Sequence, residues 1–271
     1  MMKKYNISEF KVAFLKIGLS KGDMLLIHSS LLKFGVPNDV NIGELPVNIY
    51  TVLQSIIGNN GTIAVPTFNF EYCKGTSFNK QETPSKLMGV FSEYIRKLPA
   101  SKRSFHPMQS ISAVGGKAEF LIENDTISAF SPDGPFDKLL ALKTKVVLLG
   151  TDLNSVSMIH WVEEKLNVPY RYWKSFSGIY VDNLISSQRS YKMFVRSLEL
   201  NPKLNICHIE GELVKEKKIQ VYNIGGGTIK CFNLKDFVSI AVRCINSNPY
   251  FFVSNHPGFE KNIKLDEKNF D

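Results

Sequence analysis

No stretch of this chain approaches the run of about eighteen apolar residues that a membrane-spanning helix needs. No apolar segment stands behind the lysines of its opening MMKKYNISEF. Neither a membrane span nor an export signal is therefore expected. Cysteine is scarce, and the four present, Cys73, Cys207, Cys231 and Cys244, lack CxxC spacing. That argues against a disulfide frame or a structural zinc site and suits a cytoplasmic setting with unpaired thiols. The chain has no internal repeat, low-complexity block or linker, so one domain over 1–271 is expected, with a β-rich subdomain about 176–232 as the alternative.

Several motifs are missing too. There is no GxSxG elbow, which argues against an α/β-hydrolase. The spacing His160-x-x-Glu163 is not HExxH, so a zinc protease is not indicated, and no metal is expected. Gly225-Gly226-Gly227 follows an expected strand and precedes another, so it lacks the helix N-terminus of a dinucleotide or phosphate loop and reads as a hairpin turn. The formal net charge of +8 favours anions. With the lysines spread along the whole chain and no nucleic-acid motif beside them, small phosphorylated ligands are preferred to nucleic acid. A generally cationic surface without a partner stays open.

What is present is a set of short apolar runs, each ending in polar residues. Met24–Ile27 ends at His28-Ser29-Ser30, Thr62–Val65 at Pro66-Thr67, and Val146–Leu149 at Gly150. Such runs suit parallel strands buried on both faces. Helical spacing over 7–19, 41–57, 87–98 and 235–245 supplies the alternating elements, so the class is α/β with βαβ units. The connection between His106 and Gly116 reads as irregular and polar. After Ser175 short β-rich runs follow, at 178–181, 190–196, 205–209, 218–222 and 228–232, and the charged tail KNIKLDEKNFD is expected to fray.

The stretch from Lys145 to Ser175 organises the rest. Behind its strand and polar loop, Ser157 is placed to cap a helix on which His160 and Glu163, three apart, share a face. An imidazole and a carboxylate at the carboxyl end of a strand form an acid/base pair where open α/β sheets put their chemistry. A surface salt bridge is the plain alternative. If the three strands are parallel, Ser29, Ser30, Thr67 and the loop before His160 lie side by side, and their hydroxyls and amides can hold a carbonyl or phosphate oxygen. Satisfaction of loop backbone by those same hydroxyls competes with that reading. Lys102 and Arg103, ahead of His106-Pro107-Met108-Gln109-Ser110, suit a phosphate-bearing ligand, and a loop with a structural histidine stands equal to it.

Five blocks in order, DMLLIHSSLLKFG from Asp23, GTIAVPTF from Gly61, RSFHPMQSISAVG from Arg103, SPDGPFDKL from Ser131, and Val147 to Glu163, resemble the aminoglycoside 3-N-acetyltransferase family. The resemblance implies a three-layer α/β/α sandwich around a largely parallel or mixed sheet, with a β-rich C-terminal portion. It also implies acyl transfer from acetyl-CoA or a longer acyl-CoA to a sugar amine. On the matching positions, His160 and Glu163 are catalytic. Taken with the residue readings above, His28, Ser29, Ser30, Thr67, Lys102, Arg103 and Ser110 are expected to hold the acyl-CoA, with amides near Ser29 and Ser30 meeting the oxyanion. His106, Asp152, Asn154 and Ser157 face the acceptor.

Where antibiotic-modifying members usually carry an aspartate, this chain has Asn154, which removes a partner for a polycation. Together with the basic balance, this points to the branch that acylates dTDP-linked amino-deoxysugars for surface polysaccharide. Aminoglycoside acetylation is the alternative, and a non-catalytic nucleotide- or nucleic-acid-binding module is the rival of another class. The expected partners are coenzyme A thioester and nucleotide sugar, with neither nucleic acid nor membrane, and homo-oligomers stay open.

Overall fold

A computed structural model describes residues 4–257; the tail expected to fray lies outside them. The largest sheet has seven strands in the order 219–224, 227–233, 145–149, 24–29, 62–66, 111–115, 102–103. Its centre is parallel: Met24–Ser29 pairs with Thr62–Pro66 on one side and Lys145–Leu149 on the other. Antiparallel strands extend it in both directions, which makes the sheet mixed.

Alternation along the central strands divides the core into two layers. Leu26, Ala64, Val146 and Leu148 pack with the helices Pro135–Ala141, Ile159–Lys165 and Leu234–Ser247. Leu25, Ile27, Ile63, Val65, Val147 and Leu149 pack on the other face with the helices Ile7–Lys16, Leu45–Ile57 and Val90–Lys97. The result is a three-layer α/β/α arrangement. Val146 to Leu149 are fully buried, and each such side chain is worth about 1.5–3 kcal/mol of transfer free energy.

The segment after 170 divides between two sheets. Arg171–Asp182 and Ile185–Arg196 form a long hairpin that pairs with Phe78–Asn79 in a separate three-stranded sheet. This sheet has its own cluster, built from Tyr72, Phe78, Met108, Tyr180, Tyr191 and Met193. The second hairpin, Ile219–Ile224 with Gly227–Asn233, joins the large sheet. The triple glycine makes its turn, as expected, with Gly225 and Gly226 in the turn and Gly227 opening the second strand: Gly225 has φ +53°, and a Cβ there would collide with the Phe34 carbonyl oxygen.

Three expectations are corrected. The polar connection 106–116 contains the strand Ile111–Gly115. Its Ser112 is buried and donates to Thr67 Oγ1 at 3.2 Å, so a protein partner replaces solvent. The run 205–209, expected as a strand, leads into the helix His208–Lys215, because Ile206, Ile209 and Leu213 share a helical face that is buried. Ser157 does not cap its helix by its side chain. Met158 holds the N-cap position, and the Ser157 carbonyl accepts from the His160 amide at 3.1 Å.

Candidate active site

From Met24–Ser29 the chain crosses to a strand on one side, while Lys145–Leu149 lies on the other. A reversal of this kind leaves a crevice beyond the carboxyl ends of the strands. A cavity of about 600 Å³ opens there. His28, Ser29 and Ser30 line it from the first strand's end, Pro66 and Phe68 from the second, and Thr151, Asn154, Ser157 and His160 from the third and its helix. The loop before the helix Val90–Lys97 adds Leu87 to Gly89, lying directly on the strand end: a Cβ on Gly89, at φ +86°, would stand 2.7 Å from the Ser29 carbonyl oxygen.

His160 Nδ1 lies 2.7 Å from Glu163 Oε2, and Arg171 Nη2 reaches the same oxygen at 2.9 Å. The Glu163 side chain is fully buried, whereas that of His160 is 31% exposed. Burial by itself would push the Glu163 carboxyl up. The hydrogen bond from His160, with the charge and hydrogen bond of Arg171, outweighs it and holds the group below the usual carboxylate range. An ionised Glu163 accepts only, so Nδ1 carries the proton and donates. That leaves Nε2 with its lone pair as the free nitrogen on the cavity wall, the arrangement a general base requires. Arg171 Nη2, 3.2 Å from Nδ1, is a second donor converging on the same carboxylate.

Three other polar atoms on this wall are buried without a partner: His28 Nε2, Ser29 Oγ and Gln109 Oε1. Burial pulls His28 down to about 4, so its ring is neutral at physiological pH.

The remaining residues singled out in the sequence are committed to other protein partners. Thr67, Ser110 and Arg103 form a buried network behind the cavity. Ser110 Oγ donates to the Thr67 carbonyl at 2.9 Å and accepts from Arg103 Nε at 3.0 Å. Arg103 Nη2 donates to the same Thr67 carbonyl at 2.8 Å, and Nη1 bonds the Lys80 and Thr83 carbonyls. Its donors hold backbone rather than facing a phosphate. Lys102 sits on the edge strand, paired with Glu119 at 3.4 Å and lining a different cavity.

His106 is structural. Its Nδ1 accepts from the Gln109 amide at 3.0 Å and its Nε2 meets the Lys192 carbonyl at 3.1 Å, which fixes a neutral Nε2–H tautomer. Burial, opposed by that backbone bond, lowers it to about 4. Asn154 lines the cavity, but its Oδ1 accepts from the Ile206 amide at 2.9 Å and its Nδ2 donates to Cys207 Sγ at 3.2 Å. The amide that stands in place of a carboxylate thus latches a neighbouring segment. Asp152 Oδ1 caps a short turn through the Asn154 amide at 3.0 Å and lines an adjoining groove. The Ser30 amide, expected near the oxyanion, donates instead to the Leu149 carbonyl at 2.8 Å.

Sequence reasoning missed Arg171 and Gln109. Arg171 followed Val168-Pro169-Tyr170 in the organising stretch, and a cation close behind the His-x-x-Glu pair was the available signal. For Gln109 the signal was its place in a turn fixed by His-Pro. Among the described residues no group of three or more His, Cys, Asp or Glu is placed to hold a metal ion, and no helix is long and apolar enough to cross a membrane.

A family model described as aminoglycoside 3-N-acetyltransferase matches residues 26–246. Aminoglycoside N(3)-acetyltransferase III of Salmonella sp is 25% identical over 186 residues, covering 60% of this chain and 62% of the relative. The chain thus matches less than two thirds of that enzyme's length. Aminoglycoside N(3)-acetyltransferase IV of Salmonella sp is 24% identical over 260 residues, covering 95% and 93%. Among solved structures, AAC-IIIb as a binary complex with CoASH superposes with a TM-score of 0.79 at 19% identity, over 94% of this chain and 100% of that one. At that identity the likeness shows a shared fold.

Proposed function

The chain belongs to the aminoglycoside 3-N-acetyltransferase family, and from that membership we propose that it moves an acyl group from a coenzyme A thioester, acetyl-CoA or longer, to the amine of an amino sugar. One observation carries the reading: a cavity-lining imidazole whose Nδ1 is pinned at 2.7 Å by a buried carboxylate, leaving Nε2 free. The solved relative holding CoASH, similar over nearly the whole chain, supports the donor.

The neutral amine attacks the thioester carbonyl and His160 Nε2 accepts its proton. The C–N bond forms, the C–S bond breaks, and the imidazolium returns the proton to the departing thiolate. Glu163 stabilises the transient imidazolium, and Arg171 keeps Glu163 ionised. The Ser29 hydroxyl, buried without a partner, is the group available to meet the oxyanion. Transfer is direct. Among the described residues no cysteine lines the cavity.

The names of the relatives favour an aminoglycoside as acceptor. A nucleotide-linked amino-deoxysugar is the second reading, favoured by the net charge of +8, which attracts an anionic acceptor and repels a polycation. Thiol release from acetyl-CoA, measured against aminoglycosides and dTDP-linked amino sugars, tests the proposal. His160→Asn is expected to lower turnover by about 10²–10⁴-fold, the span of general acid/base catalysis. Retention of more than about a tenth would end the general-base role.

A further inference from the structure

An aminoglycoside carries several positive charges, and a site complementary to it answers with negative ones. Among the described residues, none that lines the cavity is an aspartate or a glutamate. The carboxylate behind His160 belongs to Glu163, fully buried and already matched by Arg171. Asp152 opens onto the adjoining groove instead.

Besides Ser29, assigned above to the oxyanion, the wall offers neutral polar atoms at two buried points and is apolar at its mouth. Gln109 is 8% exposed with Oε1 unpartnered, and His28 is 4% exposed with Nε2 unpartnered. Both are more than nine-tenths buried side chains on the cavity wall whose free atoms only a ligand or water can meet. At the mouth, Leu87 is wholly exposed and Leu32 is 74% exposed, with Val90 and Phe70 beside them on the same wall. Leu87 also sits at φ +63°, a left-handed conformation that a leucine avoids. A branched apolar residue held in strain and entirely in solvent has no role in the packing. At the mouth of a cavity it has one: covering an apolar part of a bound molecule.

We infer that this site, granted the acyl-transfer reading above, selects an acceptor with a single amine and an apolar flank, such as a monoamino deoxysugar. Gln109 reads an uncharged N–H or O–H of that acceptor, and Leu32 and Leu87 close on its methyl-bearing face. Polycationic aminoglycosides are poor acceptors, because the wall returns no charge to theirs and the basic chain repels them at a distance. The neutrality of His28, which burial lowers to about 4, is in keeping with such a wall.

The test pairs calorimetric binding with thiol release from acetyl-CoA and from longer acyl-CoAs, using 4-amino-4,6-dideoxyglucose free and as its dTDP derivative, glucosamine, and kanamycin. The deoxysugar, in its better form, is expected to exceed kanamycin at least about tenfold in both affinity and kcat/KM, with glucosamine between them. Leu87→Asp, at a fully exposed position where folding is safe, is expected to move the ratio toward kanamycin by about fivefold, the effect of one surface charge pair. Gln109→Glu should move it the same way and further, because its carboxylate is desolvated.

Kanamycin binding as tightly as the deoxysugar would overturn the inference. So would a Leu87→Asp effect confined to the KM for acetyl-CoA, since the rim would then serve the donor. Preferential binding of the deoxysugar without thiol release from acetyl-CoA or from the longer acyl-CoAs would refute acyl transfer while leaving the selectivity standing, so the two failures are told apart.

Discussion

Glu163→Gln removes one negative charge from the site while keeping its shape, and the surroundings of that carboxylate set the outcome. The group is fully buried between His160 Nδ1 at 2.7 Å and Arg171 Nη2 at 2.9 Å. Without the charge, the imidazolium formed during amine attack has Arg171 beside it and no counter-ion, so turnover is expected to fall by about 10²–10⁴-fold. Arg171, whose side chain is 12% exposed, is left partly unpaired. Losing one partner of a buried pair costs about 3–5 kcal/mol, and here that is an upper bound, because the glutamine oxygen still accepts and Arg171 Nη1 keeps the Phe194 carbonyl at 3.1 Å. The two losses separate in a double-mutant cycle. Adding Arg171→Leu to Glu163→Gln removes the orphaned cation and should restore much of the urea midpoint, while turnover stays low because the counter-ion is still absent. Turnover within about tenfold of wild type in Glu163→Gln, or its recovery in the double variant, would refute the assignment of Glu163 as the group that supports charge on His160.

Two further outcomes are expected. Buried His28 and His106 are each lowered by burial from 6.5 to about 4, so the unfolded chain binds protons that the folded one does not; stability is complete above pH 6.5 and falls toward pH 4, by about 3 kcal/mol for each ring. Urea midpoints measured from pH 7.5 to pH 4.5 should drop accordingly, and a flat profile would contradict the burial of both. Gly89→Ala puts a Cβ 2.7 Å from the Ser29 carbonyl at φ +86°, so a loss of at least about 1–2 kcal/mol in chemical denaturation and a raised KM for the acyl donor are expected, and unchanged values would show the loop free to move away.

The central strands were legible because burial on both faces writes itself as an unbroken apolar run, and Val146 to Leu149 is such a run. The pairing of His160 with Glu163 was legible because helical spacing alone puts both on one face. Ile111–Gly115 was not, since a short strand carrying a serine behind a polar turn reads as loop when nothing in the sequence shows that Thr67 stands ready to satisfy Ser112. Arg103 failed for a related reason. A cation in a motif suggests an anion, but nothing in the order of residues tells a phosphate from the carbonyls of Lys80, Thr83 and Thr67, which lie 20 to 36 residues before Arg103 in sequence and beside it in space.

The β-rich segment that composition left unassigned explains how the site is held. Its first hairpin begins at Arg171, which grips Glu163, and on the facing strand the Lys192 carbonyl accepts from His106, whose other nitrogen fixes the Gln109 amide. The acid/base pair on one wall of the cavity and the glutamine on another therefore lean on the same two strands, through one charged bond and one neutral histidine. The hairpin's cluster includes Met108, in the very turn that carries Gln109. A seven-residue helix carrying His160 has little rigidity of its own. With the hairpin bonded to its carboxylate and to the opposite loop, the imidazole and the neutral wall keep a fixed separation, which is what transfer between two bound substrates requires.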